Sequence, residues 1–406
     1  MPGAAPACSF FCGARGTAGR SQSALTAGLV ALYWPHGGRT RRQGTGLLND
    51  TLKRYLEDLE KRIDPEGELR LLAEWTDFAE GRFRGGIFSP RRTQSRPPSF
   101  EWPTVHINGA LEDFDLMCLQ QYRICSERLA AGDGALLSVR ANYGTSIIAL
   151  LFGVEPFIMP AETDTLPTTV PLHDAAAVRR IVGLGLPDLN AGYGSRVFEM
   201  GERFRAIGRE YPNIGRHVHI YHPDAQGPLD ICEVIWGCEI FLAFYDEPDL
   251  VKALLELVTD TYAAFMRAWG KIVPFRKGSN VHWDIMHKGS IMLRDDSAMN
   301  ISPALFDEFV VPYDQRLLAE FGGGAIHFCG RGDHFIPRMS RIKGLHAVNL
   351  SQPELNNMEI IFANTIDKGI NLVDLAPEAA AAARKCGRPL RGRVHSKPAG
   401  LHAPAM

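Results

Sequence analysis

The 406-residue sequence has no run of roughly 18 or more uninterrupted apolar residues, so no transmembrane helix is expected. It has no charge imbalance either. The 44 basic and 46 acidic side chains leave a formal net charge of −2, which gives no basis for nucleic-acid or membrane-surface binding. The eight cysteines (8, 12, 118, 125, 232, 238, 329 and 386) follow no disulfide-framework spacing, and the chain reads as a cytoplasmic protein with reduced thiols. No second pair follows Cys8 and Cys12 at zinc-finger spacing. No G-x-G-x-x-G turn follows the first expected strands, which disfavours a doubly wound nucleotide-binding sheet. Residues 1–47 lack any Asp or Glu and show no hydrophobic period; they read as a poorly ordered extension with the arginine-rich, acid-poor composition that targeting leaders share.

What is present is ordinary for a globular chain, with 45% hydrophobic and 22% charged residues. Asn49-Asp50 can cap a helix whose Leu52, Tyr55, Leu56 and Leu59 recur at three and four. A second amphipathic stretch covers 69–83, and the Pro- and Arg-rich 89–98 is a connector, so 48–98 form a helical segment ahead of the main domain at 99–395. Residues 396–406 read as a tail. Within the main domain, strands are expected at 104–107, 135–139, 217–221, 282–285, 290–293, the run ending at His327, 346–350 and 370–373. Between them lie helical patterns, among them 111–130, 192–211, 248–269, a helix opened by Ser302-Pro303, and 377–385. Repeated strand–helix alternation with polar residues after each strand predicts a parallel α/β architecture. The length suits a (β/α)8 barrel of the TIM type preceded by N-terminal helices.

The stretch most like an active site is Ala-Ile-His327-Phe-Cys329-Gly330, primed by Gly322-Gly323-Gly324. On a strand, positions i and i+2 face the same way, so imidazole and thiol converge at the C-terminal end, where ligands collect in parallel α/β folds. Asp295 and Asp296 follow another strand; as neighbours, only one should face the mouth, and a clustered carboxylate pair there suits proton handling. Arg140, Asn142 and Tyr143 follow the second strand and are candidate substrate contacts, Arg140 through its planar fork. His222, Asp224 and Gln226 flank a Gly227-Pro228 helix start, and Asn349 and Gln352 would reach the same space. His217 and His219 sit at strand spacing and share a face, where they could bind an anionic group of a substrate, but they read more readily as ordinary surface or core histidines. Trp283, with His282 and Asp284, reads equally as core or site.

Several of these stretches together resemble the uroporphyrinogen decarboxylase superfamily: Asp224-Ala-Gln226-Gly227-Pro228-Leu229, Arg294-Asp295-Asp296 with Ser302-Pro303-x-x-Phe306 and Val311-Pro312-Tyr313, Ile326-His327-Phe328-Cys329-Gly330, and Asn349-Leu-Ser-Gln352-Pro353-Glu354. The resemblance covers roughly residues 100–375 and implies a distorted (β/α)8 barrel with its site in the mouth. Uroporphyrinogen decarboxylases themselves carry the pattern Arg-x-Pro-Val-Trp-x-Met-Arg-Gln-Ala-Gly-Arg; Arg91-Arg92 and Arg96-Pro97-Pro98 do not match it. The corrinoid-linked methyltransferase branch uses zinc held by His-x-Cys and a distant Cys. His327 and Cys329 fill the first two places, and Cys386 or His395 would have to complete the set. The expected function is zinc-dependent methyl transfer from a methyl-corrinoid on a partner protein to a thiol acceptor, a small-molecule substrate. The alternatives are metal-independent decarboxylation of uroporphyrinogen or a related carboxylated substrate, and a non-catalytic corrinoid- or tetrapyrrole-binding homologue.

Overall fold

A computed structural model describes residues 49–397 of the chain. The expected extension at 1–47, and the tail beyond Lys397, lie outside the described residues. At the start of the described residues, Asn49 Oδ1 accepts the Leu52 amide at 2.8 Å and caps the helix Asp50–Arg62. The helix Pro65–Ala79 follows, and it buries Leu71, Trp75 and Phe78. Among the described residues no helix is long and apolar enough to cross a membrane.

Among the described residues, twelve short strands are distributed among the helices: β1 (Ile87–Phe88), β2 (Ser138–Val139), β3 (Glu155–Phe157), β4 (Thr168–Val170), β5 (His219–Ile220), β6 (Ser279–His282), β7 (Ile285–Lys288), β8 (Ile291–Arg294), β9 (Gly324–Phe328), β10 (Leu345–Leu350), β11 (Asn371–Leu372) and β12 (Val394–His395). Six of them form one parallel sheet in the order β1-β12-β11-β10-β9-β8, and β2 pairs in parallel with β5. The fold is therefore α/β, with most helices lying between parallel strands.

Inward faces of β8, β9 and β10 meet the helix Pro65–Ala79 and the β6–β7 hairpin in one buried cluster of Trp75, Phe78, Met292, Ala325 and Ala347 with Ile285 and Met286. Small residues on β9 and β10 admit the bulky rings from outside the sheet. That packing fixes the strand register on which the site is built.

Three expected elements come out differently, and one hairpin is unexpected. The β-branched run at 104–107 forms no strand, and Ile107 begins the short helix Ile107–Glu112 instead. His217 ends the helix Pro212–His217, for which Pro212 at the first position is a start signal, so His217 and His219 do not share a strand face. The antiparallel β3–β4 hairpin forms where no strand is expected. The single strand expected at 282–285 is a turn: β6 and β7 pair antiparallel, with Trp283 and Asp284 as its two turn residues at φ 48° and 63°.

Candidate functional site

The parallel register of β8, β9 and β10 sets Arg294 beside His327 and His327 beside Asn349. Three side chains two residues beyond Met292, Ala325 and Ala347 thus share one face at the C-terminal edge of the sheet. The backbone then turns. Gly330, at φ 71°, follows Cys329, and a Cβ there would meet Met299 Sδ at 2.5 Å, so the tight turn after the His-x-Cys pair depends on glycine.

The result is a convergence of three different donor atoms. Asp296, His327 and Cys329 each offer one ligand atom, and these atoms lie within 4.8 Å of one another; they form a group able to hold a metal ion. His327 Nε2 is 3.3 Å from Cys329 Sγ and 3.4 Å from Asp296 Oδ1. The other ring nitrogen, Nδ1, lies 2.5 Å from Asn349 Oδ1, and Asn349 Nδ2 donates to the Val373 carbonyl at 2.8 Å. An Asn oriented in this way selects the tautomer with hydrogen on Nδ1 and leaves Nε2 as the free lone pair. That is the second hydrogen bond metal-binding histidines ordinarily have. The Cys329 amide donates to Asp296 Oδ1 at 2.7 Å, so the carboxylate is already bound to the loop that carries the thiol.

Charge in the mouth is linked in a chain. Burial opposes ionisation of Asp296, but Arg294 outweighs it and holds the carboxyl well below the usual range; Arg294 Nη2 donates to it at 3.0 Å. Arg294 also reaches Asp224 at 3.3 Å, and Asp224 accepts from Arg140 at 2.7 Å and from Trp283 Nε1 at 3.1 Å. Burial again works against Asp224, and Arg294, His282 and Arg140 hold it ionised. Asp230 accepts the amides of Asp296 and Ser297 at 2.9 and 2.8 Å and pins the loop that presents Asp296.

A cavity of about 380 Å³ opens beside this chain, lined by Arg140, Asn142, Trp283, Asp284, Asp374 and Lys397 among others. Its size suits a small molecule. Trp283 joins cavity to triad: its ring lies edge-on to His327 at a centroid distance of 5.0 Å, and Arg294 lies over it at 5.5 Å. Neither residue of the Trp283-Asp284 turn is a glycine, although both have positive φ, a conformation that costs free energy and persists where surrounding contacts fix it. Asp284 supplies one such contact, accepting from Arg128 at 2.6 Å.

The sequence candidates therefore separate. Asp296, His327, Cys329 and Asn349 come together, and Arg140, Asn142 and Asp224 join them through the mouth. Gln352 accepts the Gly330 amide at 2.5 Å and serves the turn. Gln226 Oε1 is buried without a hydrogen-bond partner. His222 is used structurally: Nδ1 meets the Pro223 carbonyl at 2.8 Å, and Nε2 accepts the Met292 amide at 3.0 Å. Tyr143 is buried against Tyr193. Asp295 points away from Asp296 and is buried opposite Asp314; burial and Asp314 push its carboxyl far up.

The structure does not bring the expected third ligands to the triad. Cys386 is exposed at the end of the helix Pro377–Lys385, and His395 on β12 packs against Trp75 while its Nδ1 accepts the Asp374 amide at 3.0 Å. Among the described residues, the third donor atom beside His327 and Cys329 is that of Asp296. Arg294 entered the sequence reading only within a resembling stretch, Asp230 was not a candidate, and Trp283 was read as core or site but not as a turn residue. The adjacency of Arg294 to the acidic pair and the two-residue spacing between the β6 and β7 runs are the signals that point to the first and last. Lys397, read as tail, pairs with Asp374 at 3.1 Å and Asp284 at 3.5 Å in the cavity wall.

No protein-family model matches the sequence, and no curated protein is similar enough to count as a relative. Among solved structures, the chain is similar to a methyltransferase from Methanosarcina mazei, at 16% identity and a TM-score of 0.53, over 73% of this chain and 82% of that one. At that identity the likeness shows the fold alone.

Proposed function

We propose that this chain is an enzyme of the uroporphyrinogen decarboxylase type, its strands closing as a distorted (β/α)8 barrel. We further propose that it transfers a methyl group from a methyl-corrinoid, carried by a partner protein, to a thiol acceptor at zinc held by Asp296, His327 and Cys329. The observation that carries this reading is the triad: nitrogen, sulfur and oxygen donors within 4.8 Å of one another, with His327 oriented by Asn349. Three protein ligands of this kind with one exchangeable position are what a catalytic zinc site uses. Zinc, when bound, keeps an acceptor thiol deprotonated near neutral pH. The chain's own residues do the rest. Arg294 keeps Asp296 ionised and aimed, Asn349 keeps the His327 lone pair free, and Trp283 walls the cavity that would admit the acceptor. The methyltransferase neighbour is compatible with methyl transfer through its fold only.

One observation favours a second reading. Arg123, Arg128, Arg140 and Lys397 line the mouth cavity, where a carboxylated substrate would compete with the carboxylates they already meet, and decarboxylation there would need no metal. Metal analysis of the purified protein separates the two. Stoichiometric zinc that is lost in Cys329→Ser, with methyl transfer abolished by a chelator, supports the first. Protein that takes up no zinc, or a Cys329→Ser variant that retains it, overturns the zinc centre, and CO₂ release surviving the chelator establishes the second. Zinc binding without turnover of either kind leaves a binding homologue.

A further inference from the structure

A second cavity, of about 350 Å³, lies beside the segments that lead into β5, β6 and β8. Ser290 lines it and immediately precedes β8, whose far end leads to Asp296; cavity and triad thus sit at opposite ends of one strand. Its wall contains Arg205, Arg209, Arg216 and Arg276 with His219, and no Asp or Glu. Among the described residues, Arg209, Arg216 and Arg276 make no ion pair, although nearly every other cationic side chain near a cavity in this molecule has a carboxylate partner. Unneutralised guanidinium groups around a concave site repel one another and gain most when an anion arrives.

The site is built rather than incidental. Asn280 holds the Arg276 backbone from both sides, accepting its amide at 2.8 Å and donating to its carbonyl at 2.9 Å, and also donates to the Gly289 carbonyl at 2.9 Å. This fixes the loop that presents the guanidinium before any ligand binds, which lowers the ordering cost of binding. Phe204, Trp269 and Phe275 supply an apolar wall. Burial, with Arg276 and His217, pushes His219 down to about 3, leaving a neutral imidazole able to donate one hydrogen bond. Tyr221 lines both this cavity and the mouth cavity.

We propose that this cavity is a second binding site, for a small molecule bearing at least two anionic groups, phosphate or carboxylate, held by Arg209, Arg216 and Arg276. The inference is independent of the zinc and methyl-transfer reading, because it uses none of the same residues. The test is calorimetric titration of the full chain with inorganic pyrophosphate and, separately, with citrate at matched ionic strength. Saturable binding at one site per chain is expected for at least one probe. It should weaken ten-fold or more in the Arg216→Glu/Arg276→Glu variant, and in Arg209→Ala to a smaller degree. It should be unchanged in Arg384→Glu, an exposed charge reversal elsewhere, and in Cys329→Ser. Because the substituted arginines are exposed, folding is checked by an unchanged melting temperature. Preference for pyrophosphate assigns the phosphate class, and preference for citrate the carboxylate class. Failure of both probes to saturate, or binding that survives the double reversal, overturns the site.

Discussion

The two large cavities have similar volumes and different electrostatics, one neutralised and one not. In the mouth, every guanidinium named above meets a carboxylate: Arg140 and Arg294 share Asp224, Arg294 also holds Asp296, and Arg128 joins Asp133 and Asp284. At the other cavity the arginines have no acidic counterpart in the wall. A neutralised, hydrogen-bonded network keeps side chains in place without a ligand and so suits a preorganised reaction centre. An uncompensated one stores affinity for an anion that must come from outside. Location alone does not decide the chemistry of a cavity; what each charge already faces does.

The comparison breaks most sharply at Asp224. Asp224→Asn leaves Arg140 and Arg294 buried with like charge and one fewer counterion, and removing one partner of a buried pair costs about 3–5 kcal/mol. Denaturant unfolding of the variant should show a loss of that order. A loss under about 1 kcal/mol would mean that the mouth network is solvent-relaxed and no more organised than an exposed pair.

Much of this network was legible in the sequence, and the part that was not has a physical cause. The period-2 rule puts His327 and Cys329 on one face because that rule is local. Asn349 follows a second strand and was a candidate for the same space, but its hydrogen bond to His327 needs the β9–β10 register, which depends on packing against Trp75 and Phe78 and not on either strand alone. Asp296 was read as a proton-handling group; that its carboxylate also offers a donor atom beside His327 depends on the distance between two loops, which is invisible to spacing. For the same reason Cys386 and His395 were plausible in sequence and are remote in structure. The Trp283-Asp284 turn was hidden because two-residue hairpin turns usually show Gly or Asn, and here tertiary contacts hold the backbone instead.

A smaller effect tests whether the mouth is tuned by neutral hydrogen bonds as well as by charge. Asn349→Ala removes the acceptor at His327 Nδ1 and the link to the Val373 carbonyl. Loss of such an outer partner ordinarily lowers metal affinity by about 10–100-fold. Competition with a chromophoric chelator measures this directly, and an unchanged zinc affinity would remove Asn349 from the site while leaving the charge network intact.

Just behind the mouth the rule of paired opposite charges fails, and that sharpens the comparison. Asp295 and Asp314 face one another fully buried, and burial together with Asp230 pushes Asp314 up to about 7. A group whose folded value is raised contributes stability that is present below its unfolded value, near 3.8 here, and lost as pH rises through about 7. Buried histidines oppose this trend over part of the range. His222, pushed down to about 3 by burial and His282, and His395, pushed down to about 4 by burial, add stability as pH rises from those values toward the unfolded value near 6.5, above which it is fully present. The informative quantity is therefore the difference between Asp314→Asn and the parent chain, in which the histidines cancel. Melting temperatures from pH 5 to 8 should show that difference growing in favour of the variant by a few degrees as pH rises. A difference independent of pH would mean that the two carboxyls do not share a proton, and that like charges at this edge are separated rather than protonated.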